Sequence, residues 1–188
     1  MSLIPEFTIG IANGWWFLLP YLVIMIGQPM LYPNRKDVLN RLMVHPRKTR
    51  KEKIVGSITV SLYYAILIYS IFLPLKLNSL WLWSGLVVFV AAMIVYIMAV
   101  HNFAVTPLDQ SVVHGIYRIS RHPLHFFSFV AWIGIGLATA SWVLLLANVI
   151  SMLGIHVGTL AEEKFCLEKY GESYRNYMKT TPRYFLFF

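Results

Sequence analysis

Charge is scarce in this sequence. Only 13% of the 188 residues are Asp, Glu, Lys or Arg, while 58% are hydrophobic and the mean hydropathy is +0.63. A water-soluble domain carries about 25% charged residues to cover its surface, so that class is excluded. Acidic residues are the scarcest group, eight against sixteen Lys and Arg. Cysteine occurs once, at Cys166, which excludes a disulfide within the sequence. With no motif around it to make it a nucleophile, Cys166 reads as a small buried apolar residue. The first residues lack the basic segment and small-residue cleavage site of a signal peptide, so the first apolar run is expected to be retained. Internal repeats, low-complexity tracts and flexible linkers are also missing.

The apolar residues fall in long blocks. A membrane helix needs about 20 mainly apolar residues to cross roughly 30 Å of hydrocarbon. Spans are predicted over 11–31, 54–75 and 80–100. Trp15 and Trp16 anchor the first at the interface, and Trp81 and Trp83 stand at the start of the third. Pro20 and Pro29 are expected to kink or end the first, and Pro74 marks the end of the second. The segment 102–122, with Pro107, Asp109, Gln110, His114, Gly115, Arg118 and Arg121, is too polar to span. The apolar block 123–160 is too long for one span and too short for two separated ones. The small and polar residues Gly134, Gly136, Ala138, Thr139, Ala140 and Ser141 at its middle predict a helical hairpin, with spans 123–138 and 141–160 turning near Thr139. The tail 161–188, with Tyr170, Tyr174, Tyr177 and Tyr184, reads as a helix on the membrane surface. The predicted architecture is therefore a single all-α integral membrane domain of about five transmembrane helices with a C-terminal hairpin.

Half of the Lys and Arg residues, eight of sixteen, lie within 35–53. Beside apolar spans such a run marks the cytoplasmic face, and no nucleic-acid motif accompanies it. With the N-terminus outside and five spans, the loop 102–122 and the C-terminus are cytoplasmic, and only Lys76 among the sixteen falls outside. Four spans would put the five basic residues of the tail on the wrong side. The sequence leaves open whether the membrane is a cell inner membrane or the endoplasmic reticulum.

Two polar clusters sit at membrane boundaries. One is Gly115-Ile116-Tyr117-Arg118-Ile119-Ser120-Arg121-His122-Pro123-Leu124-His125, at the start of span four. The other is Glu162 and Glu163, at the end of span five. A hairpin makes these ends neighbours and brings Arg121, His122 and His125 near two carboxylates. Ionisable groups at such depth are costly and often functional. On position alone, lipid phosphate binding by the Arg and His residues and a solvated helix start at Glu162 and Glu163 are the better account of the two clusters.

The elements Gly115-Ile116-Tyr117, Arg121-His122-Pro123-Leu124-His125 and the Glu162, Glu163 pair occur in this order around the predicted hairpin. Tyr170-Gly171-Glu172-Ser173-Tyr174 and Thr181-Pro182-Arg183 follow. Over roughly 100–185 the sequence resembles the isoprenylcysteine carboxyl methyltransferase and phospholipid methyltransferase superfamily of membrane proteins. The resemblance implies S-adenosylmethionine as methyl donor, bound in a cytoplasmic pocket. By motif position, Tyr117, His122, Pro123, Leu124, His125 and Glu162 would contact it. Gln110, Ser111 and Val112 would lie beside it, and Asn102 is a further candidate. Glu162 can pair with the donor's ammonium, and Arg121 or His122 with its carboxylate. His125, Glu163 and Arg121 are the candidate catalytic residues. Methyl transfer is an in-line displacement that requires alignment and exclusion of water, and no metal-ligand spacing is apparent.

The sequence departs from the family pattern at three positions. His125 replaces the usual Tyr, and can act as a cofactor contact, a general base or a packed histidine. Phe127 replaces a common Gly. Gly158 stands where the prenylcysteine enzymes carry an Arg for the substrate carboxylate, so a lipid amine, a thiol or another lipophilic acceptor fits as well or better. Among the remaining histidines, His45 reads as solvated, His101 as facing the site, His114 as a loop residue and His156 as a hydrogen-bonded group inside span five. The expected partners are a lipophilic substrate and membrane lipids, not nucleic acid. Two alternatives remain open: a sterol-type membrane reductase using a nicotinamide cofactor, and a non-catalytic membrane factor of the same fold.

Overall fold

A computed structural model describes residues 7–8, 10–43, 46 and 49–185. His45 lies outside the described residues. Among those described, the chain is helical, with one isolated bridge between Asn13 and Pro74 and no strand. The helices are α1 (Trp15–Leu22), α2 (Gln28–Met30), α3 (Arg35–Leu42), α4 (Arg50–Ile71), α5 (Leu80–Val105), α6 (Pro123–Ala138), α7 (Trp142–Tyr170) and α8 (Glu172–Thr180). The chain is an all-α membrane protein. Three helices, α4, α5 and α7, are long and apolar enough to cross a bilayer. The apolar stretches Trp15–Met30 and Pro123–Ala138 are shorter. Sixteen helical residues reach about 24 Å, less than the hydrocarbon thickness.

Local chemistry sets the boundaries. Pro20 lies inside α1, and the chain widens into a π turn at Val23–Gly27 before resuming as α2. Helix α4 opens with a capping box, in which Thr49 and Glu52 satisfy each other's backbone N–H. Ser79 caps α5 and Ser141 caps α7. The hairpin between α6 and α7 turns through Thr139, Ala140 and Ser141, with Ala140 at a positive φ of 51°.

The helix packing depends on small residues. A Cβ on Gly85 would lie 2.5 Å from the Gly134 carbonyl oxygen, and one on Gly134 would lie 2.7 Å from the Phe89 nitrogen. The α5 and α6 backbones are thus in direct contact, as membrane helices without a hydrophobic drive between them require. Gly134→Val is expected to cost about 3 kcal/mol, because rigid backbone blocks the added atoms. Thermal unfolding in detergent checks this. Beside this seam sits an aromatic core of Phe17, Tyr21, Phe89 and Trp132, with Phe17 and Phe89 edge to face at 5.0 Å. Tyr21 is fully enclosed, and its hydroxyl meets those of Tyr63 at 2.9 Å and Ser128 at 2.7 Å.

The C-terminal region differs from the surface helix expected over 161–188. Helix α7 continues through Glu162 and Glu163 to Tyr170 without a break. Beyond Gly158 no Gly or Pro occurs until Gly171, whose φ of +58° ends the helix. The polar stretch 162–170 therefore extends the fifth apolar run as one rod. Helix α8 then folds back, with Tyr174 and Tyr177 buried against the protein.

Candidate active site

Pro123 occupies the first position of α6, where its missing N–H costs nothing. This choice starts the helix one residue after His122 and places Leu124 and His125 in its first turn. Upstream, the loop turns at Gly115, φ +59°, where an added Cβ would collide with the Asn102 side chain. The Asn102 Oδ1 accepts the Ile116 N–H at 3.0 Å. Asn102 thus ties the end of α5 to the short 3₁₀ turn Gly115–Arg118 that carries Tyr117.

The hairpin brings the two polar clusters into one charged network. Glu163 is 3% exposed and is its centre. Arg121 Nε donates to Glu163 Oε1 at 2.9 Å, and Arg183 reaches both carboxylate oxygens at 3.1 and 2.8 Å. The Nε2 of His122 lies 3.3 Å from Glu163 Oε1. Arg121 Nη1 also donates to the carbonyls of Met178 and Thr181, while the backbone N–H groups of Arg121 and His122 donate to those of Pro182 and Arg183. The segment after α8 is therefore clamped along the start of α6.

Burial opposes ionisation of Glu163, but His122, Arg183 and Arg121 outweigh it and hold the carboxyl below its ordinary value of 4.5. A group with a depressed folded pKa stabilises the fold fully above that ordinary value, and the contribution disappears as pH falls through the folded one. Thermal stability is thus expected to drop as pH is lowered below about 4.5. Unfolding scans in detergent should show a smaller acid-side drop for Glu163→Gln.

Glu162 lies one residue away and faces differently. Its Oε2 is 3.4 Å from His125 Nε2 and 3.5 Å from His122 Nδ1. Burial opposes its ionisation too, and the two histidines overcome this, so its carboxyl also stays below the ordinary range. The rings of His122 and His125 are nearly parallel, 14° apart, with centroids 6.0 Å apart.

These groups line one wall of a cavity of about 400 Å³, within the size range of small-molecule and cofactor sites. Of the residues predicted to hold a cofactor, Ser111, Val112, Tyr117, His122, Leu124, His125 and Glu162 line it. Arg121 lines it too. Asn102, Gln110, Pro123 and Glu163 are not among the lining residues. His101 turns away from the cavity towards the Tyr32 hydroxyl, 3.1 Å away, and does not face the site. His114 bonds Thr106, and His156 meets the Tyr184 hydroxyl at 3.2 Å.

Sequence reasoning missed much of the opposite wall. Asp37, Asn40, Arg41 and Leu42 of α3 line the cavity, as do Phe165, Cys166, Lys169 and Tyr170 of α7 and Tyr174 and Tyr177 of α8. Arg41 spans this wall. It donates to the carbonyls of Thr106 at 3.2 Å and Gln110 at 2.8 Å, and its guanidinium lies 4.7 Å from the Phe103 ring centre. In the sequence Arg41 is one member of a basic run and signals only topology. Burial raises the Cys166 thiol to about 11, which leaves it a poor nucleophile near neutrality.

The sequence model of the phospholipid methyltransferase family matches residues 98–173. That segment takes in the end of α5, the loop, the whole hairpin and the start of α8. The resemblance read from the ordered motifs therefore holds. No curated protein matches the chain.

Proposed function

We propose that the chain is a methyltransferase that uses S-adenosylmethionine to methylate a lipophilic acceptor reaching the cavity from the bilayer. The observation that carries this reading is Glu162. Its carboxylate is held ionised on the wall of a ligand-sized cavity, within the segment that matches a methyltransferase family. When bound, S-adenosylmethionine supplies an electrophilic methyl on a sulfonium. The residues present fit such a group. Glu162 would hold its ammonium, His122 its carboxylate, and Tyr117, Val112 and Leu124 would form a partly apolar wall with Ser111 beside it.

His125 also lines the cavity, with its side chain 36% exposed. We assign it to the acceptor side, where it takes a proton from a nucleophile that must lose one. Arg121 and Glu163 act as positioning residues, since Arg121 Nε and Nη1 bond Glu163 and the C-terminal segment and both Glu163 oxygens bond Arg183. Asn102, Gln110 and Pro123 shape the loop and helix start that carry the contacting groups. Helices α3 and α8 contribute to the cavity wall, which would limit water at the methyl group. The proposed topology is a single domain of five spans with the N-terminus outside and this cavity on the cytoplasmic side. The basic run within 35–53 supports that orientation.

The test is binding and turnover by purified protein in lipid nanodiscs. Labelled S-adenosylmethionine should bind saturably and transfer its methyl to one acceptor class among phosphatidylethanolamine, long-chain thiols and prenylcysteine. The absence of Arg at Gly158 predicts that prenylcysteine is the poorest of the three. Lack of saturable binding would overturn the reading, and saturable binding of a reduced nicotinamide cofactor instead would favour a reductase.

A further inference from the structure

His122, His125 and Glu162 have a geometry that donor binding does not require. Their ligand atoms all lie within 4.8 Å of one another. Glu163 accepts at His122 Nε2, because an ionised carboxylate has no proton to give. The His122 Nε2 therefore carries the hydrogen, and the lone pair of a neutral ring sits on Nδ1. That atom faces Glu162 Oε2 at 3.5 Å, and His125 Nε2 faces the same oxygen at 3.4 Å. Two ring nitrogens and a carboxylate oxygen turned on one point hold a positive charge between them, either a ring proton or a metal ion.

We propose that His122 Nδ1, His125 Nε2 and Glu162 form a binding site for one divalent transition-metal ion of the zinc and cobalt class. Ligands about 2.1 Å from a tetrahedral metal are separated by about 3.4 Å, which two of the three edges here already match. Two imidazoles and one carboxylate suit this class of ion, and three protein ligands leave a fourth position open to the cavity. The Glu163 contact supplies the outer partner that fixes the tautomer and ring orientation of a ligating histidine. Glu163 is itself fixed by Arg121 and Arg183. The site uses two residues assigned above to the methyl donor. On the reading of the cavity as a donor site, which this step adopts, ion and donor compete.

The experiment uses full-length, tag-free protein stripped with chelator and titrated with Co²⁺. Visible d–d absorption should saturate at one equivalent, and Zn²⁺ should displace it. His125→Phe and Glu162→Gln, checked for native helicity, should each weaken Co²⁺ binding at least about 100-fold. His114→Ala removes an imidazole bonded elsewhere and should leave the absorption intact. Saturating S-adenosylmethionine should lower the apparent Co²⁺ affinity. Lack of saturable Co²⁺ binding, or binding that survives both His125→Phe and Glu162→Gln, overturns the metal site and leaves a shared proton as the cluster's charge. Co²⁺ binding that S-adenosylmethionine does not weaken overturns the competition. Donor binding to the stripped protein is measured separately. Its failure alongside intact Co²⁺ binding removes the donor reading and keeps the metal site.

Discussion

Glu162→Ala is expected to weaken S-adenosylmethionine binding by about 100-fold while leaving the protein folded. The carboxylate is partly enclosed, held ionised, and free of the clamp around Glu163. An enclosed charge-assisted pair with the donor's ammonium is worth about 2–5 kcal/mol when one partner is truncated, and 100-fold corresponds to about 2.8 kcal/mol. The fold should survive because, among the described residues, Glu162 pairs with His122 and His125, at the N-cap and in the first turn of α6. Calorimetric titration in metal-free buffer and a parallel thermal scan separate the two effects. A variant that binds the donor as tightly as wild type would remove Glu162 from the site. One that unfolds would reassign it to stability.

Arg121→Ala is expected to act in the opposite manner, on structure first. Its guanidinium is 3% exposed and joins Glu163 to the carbonyls of Met178 and Thr181. Removing it leaves a buried carboxylate short of one cation and two backbone carbonyls short of a donor. Breaking a buried pair in this way costs about 3–5 kcal/mol. The loss should fall on the C-terminal segment, because the packing of α4, α5 and α7 does not pass through Arg121. Hydrogen exchange should show α8 and residues 181–185 opening while the long apolar helices keep their protection. Arg121→Lys should recover only part of the stability, since an ammonium cannot serve Glu163 and two carbonyls in the planar geometry of guanidinium. The double variant Arg121→Ala with Glu163→Gln should cost less than the sum of the two. If Arg121→Ala keeps full stability and loses only turnover, Arg121 belongs to the reacting groups rather than to the clamp.

Much of this site was legible before any coordinates. The order of Tyr117, Arg121, His122, Pro123, His125, Glu162 and Glu163 is enough to place the polar face of a hairpin. Pro123 at a helix start and the small residues near Thr139 follow from local backbone chemistry that each residue carries by itself. Arg41, Tyr174 and Tyr177 were illegible for a different reason. Their roles come from contacts sixty or more residues away, Arg41 to Gln110 and Tyr177 to the Tyr117 carbonyl. No periodicity or spacing reports such pairs. The continuation of α7 past Ala161 was missed because a change from apolar to charged residues reads as the end of a span. The backbone needs only helix-compatible residues to continue, and it meets none that stops it before Gly171.

The sequence by itself determined the solvent. Long apolar blocks with few charges place the protein in a bilayer whatever its tertiary contacts, because transfer free energy sums over each segment independently. It also determined which polar residues flank the hairpin. Only the tertiary structure decided how two adjacent carboxylates divide their work. Successive positions on a helix point about 100° apart, so Glu163 turns into the clamp with Arg121 and Arg183 while Glu162 turns to His125 and the cavity. That division depends on where α6 and the C-terminal segment lie around α7, which is set by packing between distant parts of the chain.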